Sequence, residues 1–292
     1  MPARRLFAPL IVFLSLLPSS LLAWGGKGHA ITAAVAEAGL SADVLAQIQD
    51  LLPGQHLRDI ASLPDDWRSQ ESRHERPGNT FPLHFVNIPN DAPTYDAARD
   101  CPTGECVVAA IDTYRKILAD RTQPKETRHD ALIFIVHFVG DIHQPLHCTE
   151  GTVPPGTKDR DGKLLTGGDQ GGNLVKVSYL GGDSNLHKVW DSQIIEWGPV
   201  SVDDYVKRIF DYELRGRPVE ELQRGTPADW ANESHYAAVH NAYALPADGR
   251  IVSDYPQRNL EVVYERLLRG GLRLRRVLQE TLGTPAASAP SH

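Results

Sequence analysis

Cysteine is scarce in this chain, with 3 in 292 residues. That shortage excludes a disulfide-dense scaffold. Beyond the first two dozen residues no apolar run approaches the length needed to cross a bilayer. Positive charge is also in short supply: 30 Lys and Arg stand against 37 Asp and Glu, for a formal net charge of -7. An acidic chain lacks a broad basic face for gripping duplex DNA through many phosphates. If phosphate is the substrate, bound metal must supply the positive charge. Internal repeats and low-complexity linkers are absent too, and the length suffices for one large core, so residues 24–283 are expected to form a single domain.

The two ends read differently from this body. Arg4 and Arg5, an apolar stretch from Leu6 to Leu17 and a small residue at Ala23 form the pattern of a secretory signal peptide. Cleavage near Ala23 would leave about 269 residues with a formal charge near −9, exported to the periplasm or the medium. Residues 284–292 are expected to be a disordered tail. The new terminus would be Trp24, whose α-amine and carbonyl can chelate one cation in a five-membered ring that His29 completes. A frayed terminus carrying an exposed tryptophan is the plainer alternative.

Between the ends the apolar spacing is mostly helical. Helices are expected over 29–40, 41–52 (with Ser41 as cap), from about Pro64, over 105–119, and over a continuously apolar stretch that ends near Phe138. The segment Phe81 to Asn87 reads as extended, with His84 and Val86 facing one way and Phe85 and Asn87 the other. Residues 149–172, rich in Gly, Pro and Asp, read as a long loop or short ribbon. Residues 173–180 form half of a small β-hairpin. Four amphipathic helices follow, over 202–211, 217–224, 227–244 and 256–282. Cys101 and Cys106, five apart, are expected to be bridged, worth about 2 kcal/mol through loop entropy. Cys148 is left as a buried thiol or a metal ligand.

The chemistry concentrates in His137-Phe138-Val139-Gly140-Asp141-Ile142-His143-Gln144-Pro145-Leu146-His147. On a helix His137 and Asp141 share a face, and Pro145 forces a bend that returns His147 toward the same space. A carboxylate between histidines can bridge two cations. The pairing recurs as His187 and Asp191. A single His-x-x-x-Asp pair is commonly no more than a hydrogen-bonded core pair, and His84 or Asp65 alone would read as structural. Together Trp24, His29, Asp65, His84, His137, Asp141, His147, His187 and Asp191 exceed what one tetrahedral zinc can use, which points to two or three ions. His235 and His240 have no acidic partner at ligand spacing and read as structural.

The motifs Trp24-Gly25…Gly28-His29, Ala61-Ser62…Asp65…Arg68, Leu83-His84-Phe85, His137 to Asp141 with Gln144 to His147, Gly171-Gly172-Asn173 and Asn185-Leu186-His187…Trp190-Asp191 resemble, in order, those of the S1/P1-type nuclease I family. These are zinc-dependent, single-strand-preferring nucleases. The resemblance runs from the cleavage point to about residue 191. It implies a mainly helical fold, related to zinc phospholipase C, beside the small β-hairpin. Because the helices after residue 200 lack an exposed apolar face, no stable membrane association is expected, and the protein is expected to be a monomer. The resemblance also implies three Zn2+ per chain: one on Asp65, His84, His137 and Asp141, one on Trp24, His29 and the shared Asp141, and one on His147, His187 and Asp191.

The implied reaction is hydrolysis of single-stranded DNA and RNA, with nucleotides as further ligands, to 5′-phosphorylated products, extending to 3′-nucleotidase activity. Between two zinc ions the pKa of a bridging water falls from about 15.7 toward about 7, which supplies hydroxide. Asp65, Arg68 and Asp141 would be the catalytic positions, with Arg68 answering charge on phosphorus through its forked donors. An ordinary arginine pairing with Asp65 or Asp66 is its plainer reading. Phe85 falls at the base-stacking position, and Asn87 and Asn173 at substrate contacts, although Phe85 would serve equally as core. Asn87 departs from the aspartate common there, and the loop after His147 is longer than in fungal members. The rivals are a zinc phospholipase C and a non-catalytic zinc-binding exported protein.

Overall fold

The computed structural model describes residues 24–159 and 161–283. The signal peptide and the tail expected at 284–292 lie outside the described residues. The longer helices are α1 (Gly26–Glu37), α2 (Ala42–Leu51), α3 (Leu63–Ser72), α4 (Val107–Ala119), α5 (Lys125–Asp141), α6 (Val202–Arg208), α7 (Pro227–Ala237) and α8 (Asp254–Leu282). Strands β1 (Lys176–Tyr179) and β2 (Gly182–Asn185) form the antiparallel hairpin, with Val177 opposite Ser184. A short β3 (Arg250–Ile251), not expected from the sequence, pairs parallel to β1, giving the order β2-β1-β3.

Boundaries differ from the sequence reading where local chemistry intervenes. Helix α1 starts at Gly26, so the glycine-rich approach to His29 is already helical. Ser41 stands at the N-cap of α2, but its hydroxyl donates to Asp43 Oδ1 at 2.5 Å. Pro82 lies in the first turn of a 3-10 helix over Phe81–His84, and the chain turns extended only at Phe85. The facing is nevertheless as expected: His84, Val86 and Ile88 are buried, and Asn87 is exposed. Helices α6 and α7 each open into a π turn, over Ile209–Glu213 and Ala238–Ala242. The helix expected at 217–224 is a single turn, Val219–Leu222.

Two apolar clusters make the core. One gathers α2, α4 and α5 with Leu274, Val277 and Leu278 of α8; the other gathers Trp24, Trp190 and Tyr205 with Val263, Leu267 and Leu268 of the same helix. Helix α1 is likewise split, with Ala33 and Ala36 on the first and Ile31 and Val35 on the second. The seam between the clusters is where His29 and α5 meet. Cys101 and Cys106 are bridged at the entry to α4.

A buried polar knot holds the bend after α5. His143 Nδ1 donates to Val139 O at 2.7 Å, which leaves Nε2 to accept from Arg273 at 3.0 Å. Glu233 accepts from Arg273 at 2.7 Å through both oxygens and from Arg266 at 2.9 Å. Ser234 donates to Ile142 O at 2.5 Å, and the Cys148 thiol to the same carbonyl at 3.4 Å. Burial pushes that thiol up to about 12, so Cys148 is an inert core group. His235 donates to Ala92 O and accepts from Thr149, a structural role.

Burial opposes ionisation of Glu233, but Arg273 and Arg266 outweigh it and bring the carboxyl down to about 2 from an ordinary 4.5. A depressed folded-state pKa stabilises above the unfolded value and loses that contribution as pH falls through the folded one. Glu233→Gln leaves two buried guanidinium groups short of a charged partner, and because water reaches Glu233 and screens the pair the cost is about 1–2 kcal/mol at neutral pH. Urea unfolding of both proteins should show that gap narrowing between pH 4.5 and about pH 2.

Candidate metal centre

Helix α5 places His137 and Asp141 one turn apart, with Nε2 3.1 Å from Oδ2. Helix α1 lays His29 against them. Its ring stacks on that of His137 at 4.0 Å, and its Nε2 lies 3.4 Å from Asp141 Oδ1. Gly140 makes this approach possible, because a Cβ there would stand 2.6 Å from His29 Nδ1. The 3-10 turn brings His84 Nδ1 to 2.9 Å from His137 Nε2 and 3.0 Å from Asp141 Oδ2. Asp65, on the first turn of α3, points Oδ1 at both histidines from 3.8 Å.

A further group completes the constellation. The bend after α5 runs through a 3-10 turn, Pro145–Cys148, that carries His147. His187 and Asp191 follow β2, with Nε2 3.2 Å from Oδ2, and Asp191 sits in a π turn over Val189–Gln193. The His147 and His187 rings are 5.1 Å apart. Asp141 Oδ1 is 3.6 Å from His147 Nδ1, so one carboxylate adjoins every part of the site. Three sets of ligand atoms, each within 4.8 Å of one another, result: His29, His137 and Asp141; Asp65, His84 and His137; His147, His187 and Asp191.

Backbone carbonyls orient the imidazoles. His137 Nδ1 meets Ala61 O at 2.8 Å, His147 Nδ1 meets His84 O at 2.8 Å, and His187 Nδ1 meets Gly171 O at 2.7 Å. A carbonyl can only accept, so each Nδ1 carries a proton, and it is Nε2 of each ring that would turn to a cation. Gly171 can offer its carbonyl there because φ is +60° and a Cβ would fall 2.5 Å from Leu146 O. Gln144 braces the far side, donating to Asp191 Oδ1 and accepting from Leu146 N, both at 2.5 Å.

Protonation follows from burial. It lowers His29 to about 4 and His84 and His147 to about 3, so these rings are neutral. Burial also lifts Asp65 to about 6. For Asp141 burial acts in the same upward direction, yet the surrounding imidazoles of His137, His29 and His84 outweigh it and hold the carboxyl well below its usual range. Neutral rings and carboxylates are what a divalent cation requires. Asp141 Oδ1, both nitrogens of His29 and Nε2 of His84 and of His147 are buried without a hydrogen-bond partner. Acceptors this close, with too few protons between them, fit cations of the nitrogen-and-oxygen-liganded kind.

A cavity of 260 Å³ opens beside His147 and His187, walled by Phe85, Asn87, Glu150, Gln170 and Asn173, with Arg68 at its edge. The Arg68 guanidinium pairs with Asp65 Oδ1 at 3.0 Å. The three ligand groups and the cavity lining together take in His29, Asp65, Arg68, His84, Phe85, Asn87, His137, Asp141, His147, Asn173, His187 and Asp191. The Trp24 ring is buried, and the next residue, Gly25, donates its N–H to Asp191 O at 2.9 Å. Gln144, Glu150 and Gln170 were not assigned from sequence. Gln144 carried a signal, being an amide inside the metal motif, whereas Glu150 and Gln170 reach the cavity only through the fold.

A helical body with adjoining buried His and Asp groups at the edge of an open cavity is the form of a metal-dependent hydrolase. The comparisons with known proteins agree. Residues 24–283 match the model of the S1/P1 Nuclease family, and the chain belongs to that family. Endonuclease 4 of Arabidopsis thaliana is 30% identical over 99% of this chain and 97% of its own length. Nuclease P1 of Penicillium citrinum is 26% identical over 90% of this chain and 100% of its own. Nuclease S1 of Aspergillus oryzae is 30% identical over 59% of this chain and 55% of its own. The family is zinc-dependent, with a helical fold like that of phospholipase C, and the protein is a hydrolase of phosphodiester bonds in nucleic acids.

Gly140→Ala should drive His29 away from Asp141. Elemental analysis of the purified variant is expected to show metal lost from the His29 side and kept by His147, His187 and Asp191. Unaltered metal content would mean that His29 is not a ligand.

Proposed function

We propose that the protein is an exported nuclease that hydrolyses single-stranded DNA and RNA to 5′-phosphorylated products using three zinc ions. The observation that carries this reading is Asp141, whose two oxygens face different ligand groups, one of which includes His147 in the wall of the cavity that Phe85 and Arg68 also line. Asp65, His84, His137 and Asp141 would hold one ion. His29, Asp141 and the amine and carbonyl of a Trp24 freed by cleavage would hold another, and His147, His187 and Asp191 the third. Zinc so bound lowers the pKa of water and polarises phosphoryl oxygens.

The remaining roles belong to the chain's own side chains. Arg68, fixed on Asp65, presents donors to the non-bridging oxygens as charge builds there. Phe85 offers a face to the base, and Asn87 and Asn173 offer amides to its edge or sugar. Water adds to phosphorus, the bond to the 3′-oxygen breaks, and that oxygen takes up a proton. A free 3′-phosphate of a nucleotide fits the same positions, which extends the activity to 3′-nucleotides. Stacking is worth about 1–3 kcal/mol per base and is indifferent to base identity. A duplex conceals those faces, hence the preference for single strands.

Correctly processed protein offered single-stranded DNA, RNA, duplex DNA and phosphatidylcholine vesicles should cleave the first two fastest; turnover confined to the vesicles would make it a phospholipase. Protein made with residues retained ahead of Trp24 should hold about one zinc fewer and lose most activity. Full zinc content and turnover in that form would refute the terminal chelate.

A further inference from the structure

The cavity beside His147 ends at Arg68 and Phe81, and on the other side of these two side chains a second hollow of 550 Å³ opens along the end of α3. Ser69, Ser72, His74 and Asn79 line it. Its floor is built rather than loose: buried Glu71 accepts from the Thr80 backbone N–H at 2.7 Å and from its hydroxyl at 2.8 Å. The carboxylate is thus turned to the chain. Phe81 stands on the ridge between the hollows and is 48% exposed, a large apolar ring left to water. It meets Phe85 edge-on, with centroids 5.3 Å apart and planes at 74°, and the Arg68 guanidinium lies 5.8 Å from its centroid.

Perpendicular rings offer their faces in different directions. One flat ligand cannot cover both, whereas two successive, splayed bases of an unpaired strand can. We propose that Phe81 and the hollow beyond it form a second base subsite, which takes the nucleotide next to the one stacked on Phe85 while the backbone passes Arg68. Hydroxyl, imidazole and amide groups in the lining can meet the donors or acceptors of any base. The subsite therefore adds affinity for strand length without adding sequence preference.

This inference rests on the nuclease reading, and the test separates the two. The probes are a thymidine trinucleotide and thymidine 3′-(methyl phosphate), a diester with one base and no neighbour. Phe81→Ala should cut the advantage in kcat/KM of the trinucleotide over the methyl diester by about five- to fifty-fold. Phe81→Tyr, which keeps the ring, should restore it. Phe85→Ala should depress both substrates and leave the ratio standing. An unchanged ratio in a folded Phe81→Ala protein overturns the second subsite alone, and wild-type protein inert toward both probes removes the nuclease reading with it.

Discussion

The structure turns on one buried carboxylate among imidazoles. Asp141 is wholly removed from water, with nitrogens of His29, His84, His137 and His147 between 3.0 and 3.6 Å from its oxygens. An isolated carboxylate at such depth would take up a proton to escape the loss of hydration. Here the rings hold it ionised, while burial keeps His29, His84 and His147 neutral. The outcome is a cluster of lone pairs with few protons to share. A bound cation satisfies those lone pairs only in the folded chain, so ion binding and folding stability are linked.

Holding these groups in place takes much of the fold. His29 comes from α1, Asp65 from α3, His84 from the 3-10 turn and His137 with Asp141 from α5, while His187 and Asp191 follow the hairpin. These elements approach from different directions, so each needs its own brace. Main-chain carbonyls orient three of the rings, and the knot of His143, Glu233, Arg266 and Arg273 clamps the bend that returns His147. Helix α8, the last among the described residues and without a ligand of its own, supplies both arginines and packs against both halves of the core. The C-terminal third, where the family motifs fall silent, is thus structural support for the motifs.

Legibility in the sequence followed the range of the interaction. His137 with Asp141 is readable because helical period alone puts them on one face. His187 with Asp191 is readable for a similar reason, though the helix has widened to a π turn by then. The outward facing of Phe85 and Asn87 survived an error in local structure, since the chain resumes an extended path at Phe85 (φ -148, ψ 171) after the 3-10 turn. Strand β3 was missed because two residues cannot display a period. Glu150 came into the cavity through a bridge between Pro89 and Glu150, and Arg266 and Arg273 looked like the polar face of an amphipathic helix. Nothing local distinguishes a guanidinium bound for solvent from one bound for Glu233.

The charge balance and the cleft explain each other. A chain of net charge -7 repels a polyanion at long range, and Arg68 is the cation that the cavity wall offers. On the proposed reading, attraction comes from ions held in the floor and from ring faces, both of which act only at contact. Ions concentrate the positive charge at the phosphate being cut rather than along the duplex backbone. Rings reward bases that are already unstacked. On the proposed reading, the preference for single strands needs no steric gate: a double helix meets an acidic surface with its base faces hidden, and an open strand presents both things the cleft can hold.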